Sequence, residues 1–106
     1  MVTLIGMGSG RWEALSVQAQ DAVRRAGLVF GAKRLLAGLP PECTARQFAL
    51  YQPVEILETL AQAPGQDAAV LYSGDTGFYS GASGLLTPLR ALGIPARVYP
   101  GVSSIQ

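Results

Sequence analysis

The stretch Ala69-Val-Leu-Tyr-Ser-Gly-Asp-Thr-Gly-Phe-Tyr79 limits what this chain can fold into more than any other. Val70 to Tyr72 is continuously apolar and partly β-branched, the pattern of a strand buried on both faces, and Gly74 stops it. Asp75 is thereby delivered to a strand's C-terminal end. In open α/β sheets that edge is where ligands bind, because loops frame a crevice there instead of core side chains filling it. The same residues also suit a plain tight turn into the next helix, with Asp75 or Ser80 as its cap.

Along the rest of the chain, strands and helices alternate. Val2 to Ile5 reads as a strand, ended by the glycine-rich loop Gly6-Met-Gly-Ser-Gly10. Ser16 caps a helix from Val17 to Ala26, which Gly27 stops, and Leu28 to Phe30 returns as a strand. Gly31 to Ala37 reads as a short helix, ended by Gly38 and Pro40-Pro41. Thr44 to Leu50 fits a short edge strand, and Pro53 opens a helix to Ala63 that Pro64-Gly65 breaks. After the central strand a helix is predicted from Ser80 to Leu92, with Pro88 kinking it or breaking it at Thr87. Gly93 closes it, Ala96 to Tyr99 gives the last strand, and Pro100-Gly-Val-Ser-Ser104 leaves that strand with two hydroxyls.

This alternation predicts one α/β domain over residues 1–106, a mainly parallel sheet with helices on both faces. Three unusual loops, Gly6 to Gly10, Ser73 to Tyr79 and Pro100 to Ser104, then converge on one sheet edge as a candidate binding crevice. Lys33 and Arg34 reach the same edge, either as a solvated helix end or as partners for substrate carboxylates.

Several function classes are disfavoured. The net charge of +1 offers no basic footprint for nucleic acid. The absence of histidine excludes His-based triads and His metal sites, and Cys43 alone forms no disulfide framework, which suits a reducing cytoplasm. No apolar run approaches the roughly 18 residues of a membrane span, and Val2 opens a strand rather than a signal peptide. With 49% hydrophobic and only 14% charged residues, the chain is expected to keep a face for a partner domain or subunit. A Rossmann dinucleotide site would need a glycine where Arg11 stands and an acid near Gly31-Ala-Lys33, and a P-loop would need Gly-Lys-Ser/Thr, so both fit poorly.

Ser-Gly-Asp-Thr-Gly-Phe-Tyr at 73–79 and Pro-Gly-Val-Ser-Ser-Ile-Gln at 100–106, with Ile-Gly-Met-Gly-Ser-Gly at 5–10, make the chain resemble the N-terminal domain of the tetrapyrrole (corrin and porphyrin) methyltransferases. The resemblance covers the whole chain, and within the family it is nearest to the precorrin-6Y or cobalt-precorrin-7 C5-methyltransferase branch of cobalamin biosynthesis. It implies an enzyme of two α/β domains with S-adenosylmethionine in the cleft between them. It also implies methyl transfer to ring carbon C5 of a precorrin, joined by C15 where a second, decarboxylating methylase is fused. Carried over by motif, Ser73, Gly74, Asp75, Phe78, Ser103 and Ser104 lie along the cofactor, while Gly6, Gly8, Gly10 and Arg11 line the tetrapyrrole side. No catalytic residue is singled out, and no protein-bound metal is implied. Such proteins are about twice this length, so the resemblance implies a missing C-terminal domain, a homo-oligomer, and an inactive isolated half.

Three positions in two loops depart from the family patterns Gly-x-Gly-Pro-Gly-Asp and Gly-Asp-Pro. Ser9 and Arg11 replace the proline and acid of the first loop, and Thr76 replaces the proline of the second. Thr76 leaves φ unfixed, which loosens the loop slightly. Arg11 reverses a charge at the expected substrate entrance, so either the loop's role changes or the arginine meets substrate carboxylates. The alternatives to an enzyme are a non-catalytic tetrapyrrole-binding or assembly module and a Rossmann-like nucleotide-binding domain.

Overall fold

A computed structural model describes residues 1–6, 12–41, 43–50, 52–63, 65–72 and 76–99, apart from the side chains at 14 and 76–83. The order is β1 (Val2–Gly6), a 3-10 turn (Trp12–Ala14), α1 (Val17–Arg25), β2 (Leu28–Phe30), α2 (Lys33–Leu36), β3 (Arg46–Phe48), α3 (Pro53–Ala61), β4 (Ala68–Tyr72), α4 (Thr76–Ala91) and β5 (Ala96–Tyr99). The five strands form one sheet in the order β3-β2-β4-β1-β5, and every pairing is parallel. The predicted α/β architecture is therefore the observed one.

Strand alternation divides the interior into two cores. Val2, Leu4, Leu28, Phe30, Ala68, Val70 and Tyr72 pack with Ile56 and Leu60 of α3 and with Leu85 and Leu89 of α4. The intervening strand residues Ile5, Val29, Ala69 and Leu71 pack with Ala19 and Val23 of α1 and with Leu35 and Leu36 of α2. Every residue of β1, β2 and β4 is buried, as a strand covered by helices on both sides must be. β3 and β5, the two edges, keep exposed residues.

Local capping explains the start of α1 and the end of α4. Ser16 stands extended (φ −64°, ψ 160°) and its side chain accepts from the Ala19 amide at 3.2 Å, so α1 begins where the sequence places it. Its other end differs from expectation, because no left-handed glycine closes it. Ala26 ends it in an extended conformation (φ −69°, ψ 141°), and Gly27 donates instead to the Asp67 carbonyl at 2.8 Å. Gly93, by contrast, is left-handed (φ 74°). Its amide bonds the Arg90 carbonyl at 3.1 Å, while Ile94 reaches Leu89 at 2.9 Å, the paired bonds of a Schellman motif.

The largest correction concerns α4, which begins at Thr76 rather than Ser80 and runs on through Pro88 without breaking at Thr87. Ser80 lies inside the helix rather than at its start, and Phe78 belongs to the first helical turn instead of the loop. Proline removes one intrahelical donor, but here the loss falls in the last turn, where Leu85 and Leu89 anchor the helix in the core on either side of it. The second candidate loop shrinks accordingly to residues 73–75.

Candidate functional site

The sheet order makes a switch point beside β4. β1 and β2 are followed by α1 and α2 on one face, whereas β4, lying between them, is followed by α4 on the other. The segments after β1 and β4 thus leave adjacent strand ends for opposite faces, which opens a crevice at the C-terminal edge. Register sharpens this placement: Gly6 pairs with Tyr72, and Ile5 pairs with Tyr99. The strand ends leading to all three candidate loops share one edge, as the sequence predicts.

Of the predicted site residues, Gly6 is buried as the last residue of β1, and Phe78 lies in the first turn of α4. Gly8, Gly10, Arg11, Ser73, Gly74, Asp75, Ser103 and Ser104 lie outside the described residues. Lys33 and Arg34 are both exposed on α2. Cys43, partly buried, packs against the core under α1 and α2. Among the described residues no three acidic, cysteine or histidine side chains gather where they could hold a metal, and no helix is long and apolar enough to cross a membrane.

Two residues at this edge escape the sequence reading. Gly31 follows β2 and lies against β4, where an added Cβ would come within 3.0 Å of the Leu71 Cβ. The available signal was repetition, since strand after strand here runs into a glycine, at 6, 31 and 74. The other is Tyr72, the last residue of β4, only 8% exposed and packed in the core under α3 and α4. Burial pushes its phenol from 10.0 up to about 12, because a phenolate would lose its hydration there.

The sign of the linkage follows. Between pH 10 and about 12 the native phenol keeps a proton that the unfolded chain releases, so stability falls as pH rises through that window and is fully present below it. A near-ultraviolet absorbance titration should show a late phenolate step that Tyr72→Phe removes. Persistence of that step in the variant would assign it elsewhere.

Two surface grooves, of about 350 Å³ and about 370 Å³, open away from this edge. The first lies between α1 and β5 beside Met1, Asp67 and Arg97, and the second lies beside Val2, Gly65 and Pro95. Topology, rather than the depth of these grooves, locates the candidate site.

Comparison with known proteins agrees with this fold. The family model of the tetrapyrrole (corrin/porphyrin) methylases matches residues 1–106. The chain is 31% identical to the precorrin-4 C(11)-methyltransferase of Pseudomonas aeruginosa, with 97% of this chain and 44% of that protein aligned. It is 33% identical to the cobalt-precorrin-7 C(5)-methyltransferase of Salmonella typhimurium, with 100% of this chain and 52% of that protein aligned. Among solved structures, the uroporphyrin-III-C-methyltransferase of Thermus thermophilus superimposes with a TM-score of 0.70 at 30% identity, over 97% of this chain and 47% of that one. A cobalt precorrin-4 methyltransferase shares the fold, with a TM-score of 0.72 at 21% identity, over 95% of this chain and 45% of that one. The chain therefore spans about half the length of the relatives it matches. Enzymes of this family take their methyl group from S-adenosylmethionine. By the match over its whole length and the shared fold, the chain belongs to the tetrapyrrole (corrin/porphyrin) methylases.

Proposed function

We propose that this chain is the N-terminal half of an S-adenosylmethionine-dependent C-methyltransferase that acts on a precorrin in cobalamin biosynthesis, completed by a C-terminal domain. The observation that carries the reading is the Gly6–Tyr72 register, which sets the segments after β1 and β4 side by side at the switch point of a methylase fold. A bulky adenosine-bearing donor fits such an edge. Gly6 ends β1 opposite Tyr72 and Gly31 follows β2 against Leu71, so glycines border the end of β4 on both sides and leave backbone rather than side chains there.

When bound, S-adenosylmethionine supplies a methyl group on a positively charged sulfur. In this reading Ser73, Gly74, Asp75, Phe78, Ser103 and Ser104 hold it, with Asp75 accepting hydrogen bonds from its amino or hydroxyl groups. Gly6, Gly8 and Gly10 leave room for the macrocycle, and Arg11 pairs with one of its carboxylates. An electron-rich ring carbon needs alignment and proximity more than acid–base help, so a chain without histidine suffices. The assigned carbon is C5, on the two terminal motifs. C11 is the second reading, favoured by the likeness to precorrin-4 C(11)-methyltransferases. The low charge content fits a face kept for a partner subunit, here a homo-oligomer, and the single cysteine suits the cytoplasm.

The test is calorimetric titration of S-adenosylhomocysteine into the longest natural chain that carries residues 1–106. Asp75→Ala should weaken binding by about tenfold or more, the loss of a hydrogen bond to a charged group. Unchanged affinity removes Asp75 from the site, and no binding to the parent chain removes the reading. Product formed with an isotope-labelled methyl group then reads the carbon directly by NMR.

A further inference from the structure

The groove of about 350 Å³ between α1 and β5 brings together three residues that the sheet register sets side by side. Thr3 of β1 pairs with Arg97 of β5, and Ile5 pairs with Tyr99, so Thr3, Arg97 and Tyr99 share the sheet face on which Ile5 packs under α1. Thr3 is only 6% exposed, yet its hydroxyl has no hydrogen-bond partner among the described residues. Because no described side-chain oxygen is sealed in without a partner, that hydroxyl opens into the groove it lines. Buried polar side chains are normally hydrogen-bonded, so one left unmatched at a cavity marks where a bound group completes the bond. The ionic groups of the groove are matched with one exception. Arg25 Nε meets Asp21 Oδ2 at 3.1 Å, and the Met1 ammonium meets Asp67 Oδ1 at 3.3 Å. Arg97 has no carboxylate partner among the described residues, and its Nη1 donates to the Tyr99 phenolic oxygen at 3.2 Å. That bond holds the guanidinium along β5 and leaves its other N–H groups, the phenolic O–H and the Thr3 hydroxyl as donors.

We propose that this groove is a second binding site, for a small monocarboxylate that also carries amino or hydroxyl groups. The ligand's carboxylate lies on the Arg97 guanidinium, with Tyr99 and Thr3 donating to it. Its own donors meet the second oxygens of Asp21 and Asp67, each of which is engaged through one oxygen only. The single unmatched positive charge balances one carboxylate, whereas a phosphate dianion would face both aspartates. The volume is at the small end for a ligand pocket, which sets the ligand at the size of an amino acid or a hydroxy acid. The site does not depend on the methylase reading.

The test is an NMR titration of the isotope-labelled longest natural chain that carries residues 1–106, with L-serine and L-lactate as probes and acetate and inorganic phosphate as comparators. The amide signals of Thr3, Arg97 and Tyr99 should shift saturably with at least one probe, about tenfold tighter than with acetate, the gain from added hydrogen bonds to charged aspartates. Thr3→Val keeps the β-branched shape and removes only the hydroxyl, and it should weaken probe binding about tenfold. Arg97→Gln removes the charge from an exposed position and should weaken binding by about tenfold or more. Both variants should keep the parent's melting temperature and its affinity for S-adenosylhomocysteine. No saturable shift with either probe overturns the proposal and leaves the Thr3 hydroxyl to solvent. Acetate or phosphate binding as tightly as the probes overturns it too, because that is attraction of any anion to Arg97. Probe binding that neither variant weakens places the ligand elsewhere and overturns it as well. A parent chain that binds a probe in this groove but not S-adenosylhomocysteine removes the methylase reading and leaves the second site standing.

Discussion

Phe30→Ala is expected to lower the unfolding free energy by about 3–5 kcal/mol, the usual cost of truncating a buried aromatic to alanine. Among the described residues Phe30 is the largest side chain with no exposed surface, and it lies in the core between the sheet and the pair α3 and α4. Its ring stacks on Phe48, with centroids 5.2 Å apart and planes 21° from parallel. Phe48 in turn carries Arg46 over its face at 5.6 Å. The truncation therefore opens a cavity and also undocks the edge strand β3, whose own three residues bury little. A domain of this size has a total stability of about 5–15 kcal/mol, so the variant sits close to unfolding. Urea denaturation measures it, and a double-mutant cycle with Phe48→Ala should return a ring–ring coupling of about 0.5–1.5 kcal/mol. A loss below about 1 kcal/mol for Phe30→Ala would mean that the site collapses freely and the stack contributes little.

The elements with strong local signals were legible from the sequence. Leu28–Phe30 stands where its apolar run predicts, Ala96–Tyr99 follows Gly93 as a last strand as expected, and Ser16 caps α1 as a hydroxyl before an amphipathic run should. What local pattern could not supply was α4. Its first turns hold Gly77 and Gly81, poor helix formers, and its last turn holds Pro88, so propensity argues for a shorter helix. Tertiary packing overrides that: Leu85 and Leu89 are fully buried, and Gly84 lies beside α3 at a spacing where a Cβ would be 3.7 Å from Pro53. Long-range pairing hid the rest of the site. The sequence showed three unusual loops after three strands, but only the order β2-β4-β1 shows that Gly6 pairs with Tyr72 while Gly31 lies against Leu71 on the other side of β4. The pairing of Thr3 with Arg97 was likewise invisible, since it joins the first strand to the last.

Gly31→Val is the second large effect, and its cause is backbone rather than side chain. A Cβ at position 31 would come within 3.0 Å of the Leu71 Cβ and 3.3 Å of the Leu71 carbonyl oxygen. Leu71 cannot retreat, because β4 is held by β1 on one side and β2 on the other. Gly31 cannot retreat either, since its amide donates to the Phe48 carbonyl at 3.2 Å. Gly31→Ala should therefore cost about 1–2 kcal/mol, and Gly31→Val, with two further methyl groups, about 3 kcal/mol, the upper end for overpacking. Because Leu71 immediately precedes Tyr72, the displaced backbone is the one that delivers the 73–75 segment, so S-adenosylhomocysteine affinity should fall along with stability. A second substitution separates the causes. Leu71→Ala keeps the Cβ and the carbonyl, so it should not rescue Gly31→Val. If it does rescue, the conflict lies with the outer atoms of Leu71, where Cγ stands 3.6 Å from the added Cβ, and the strand edge is more accommodating than this register implies.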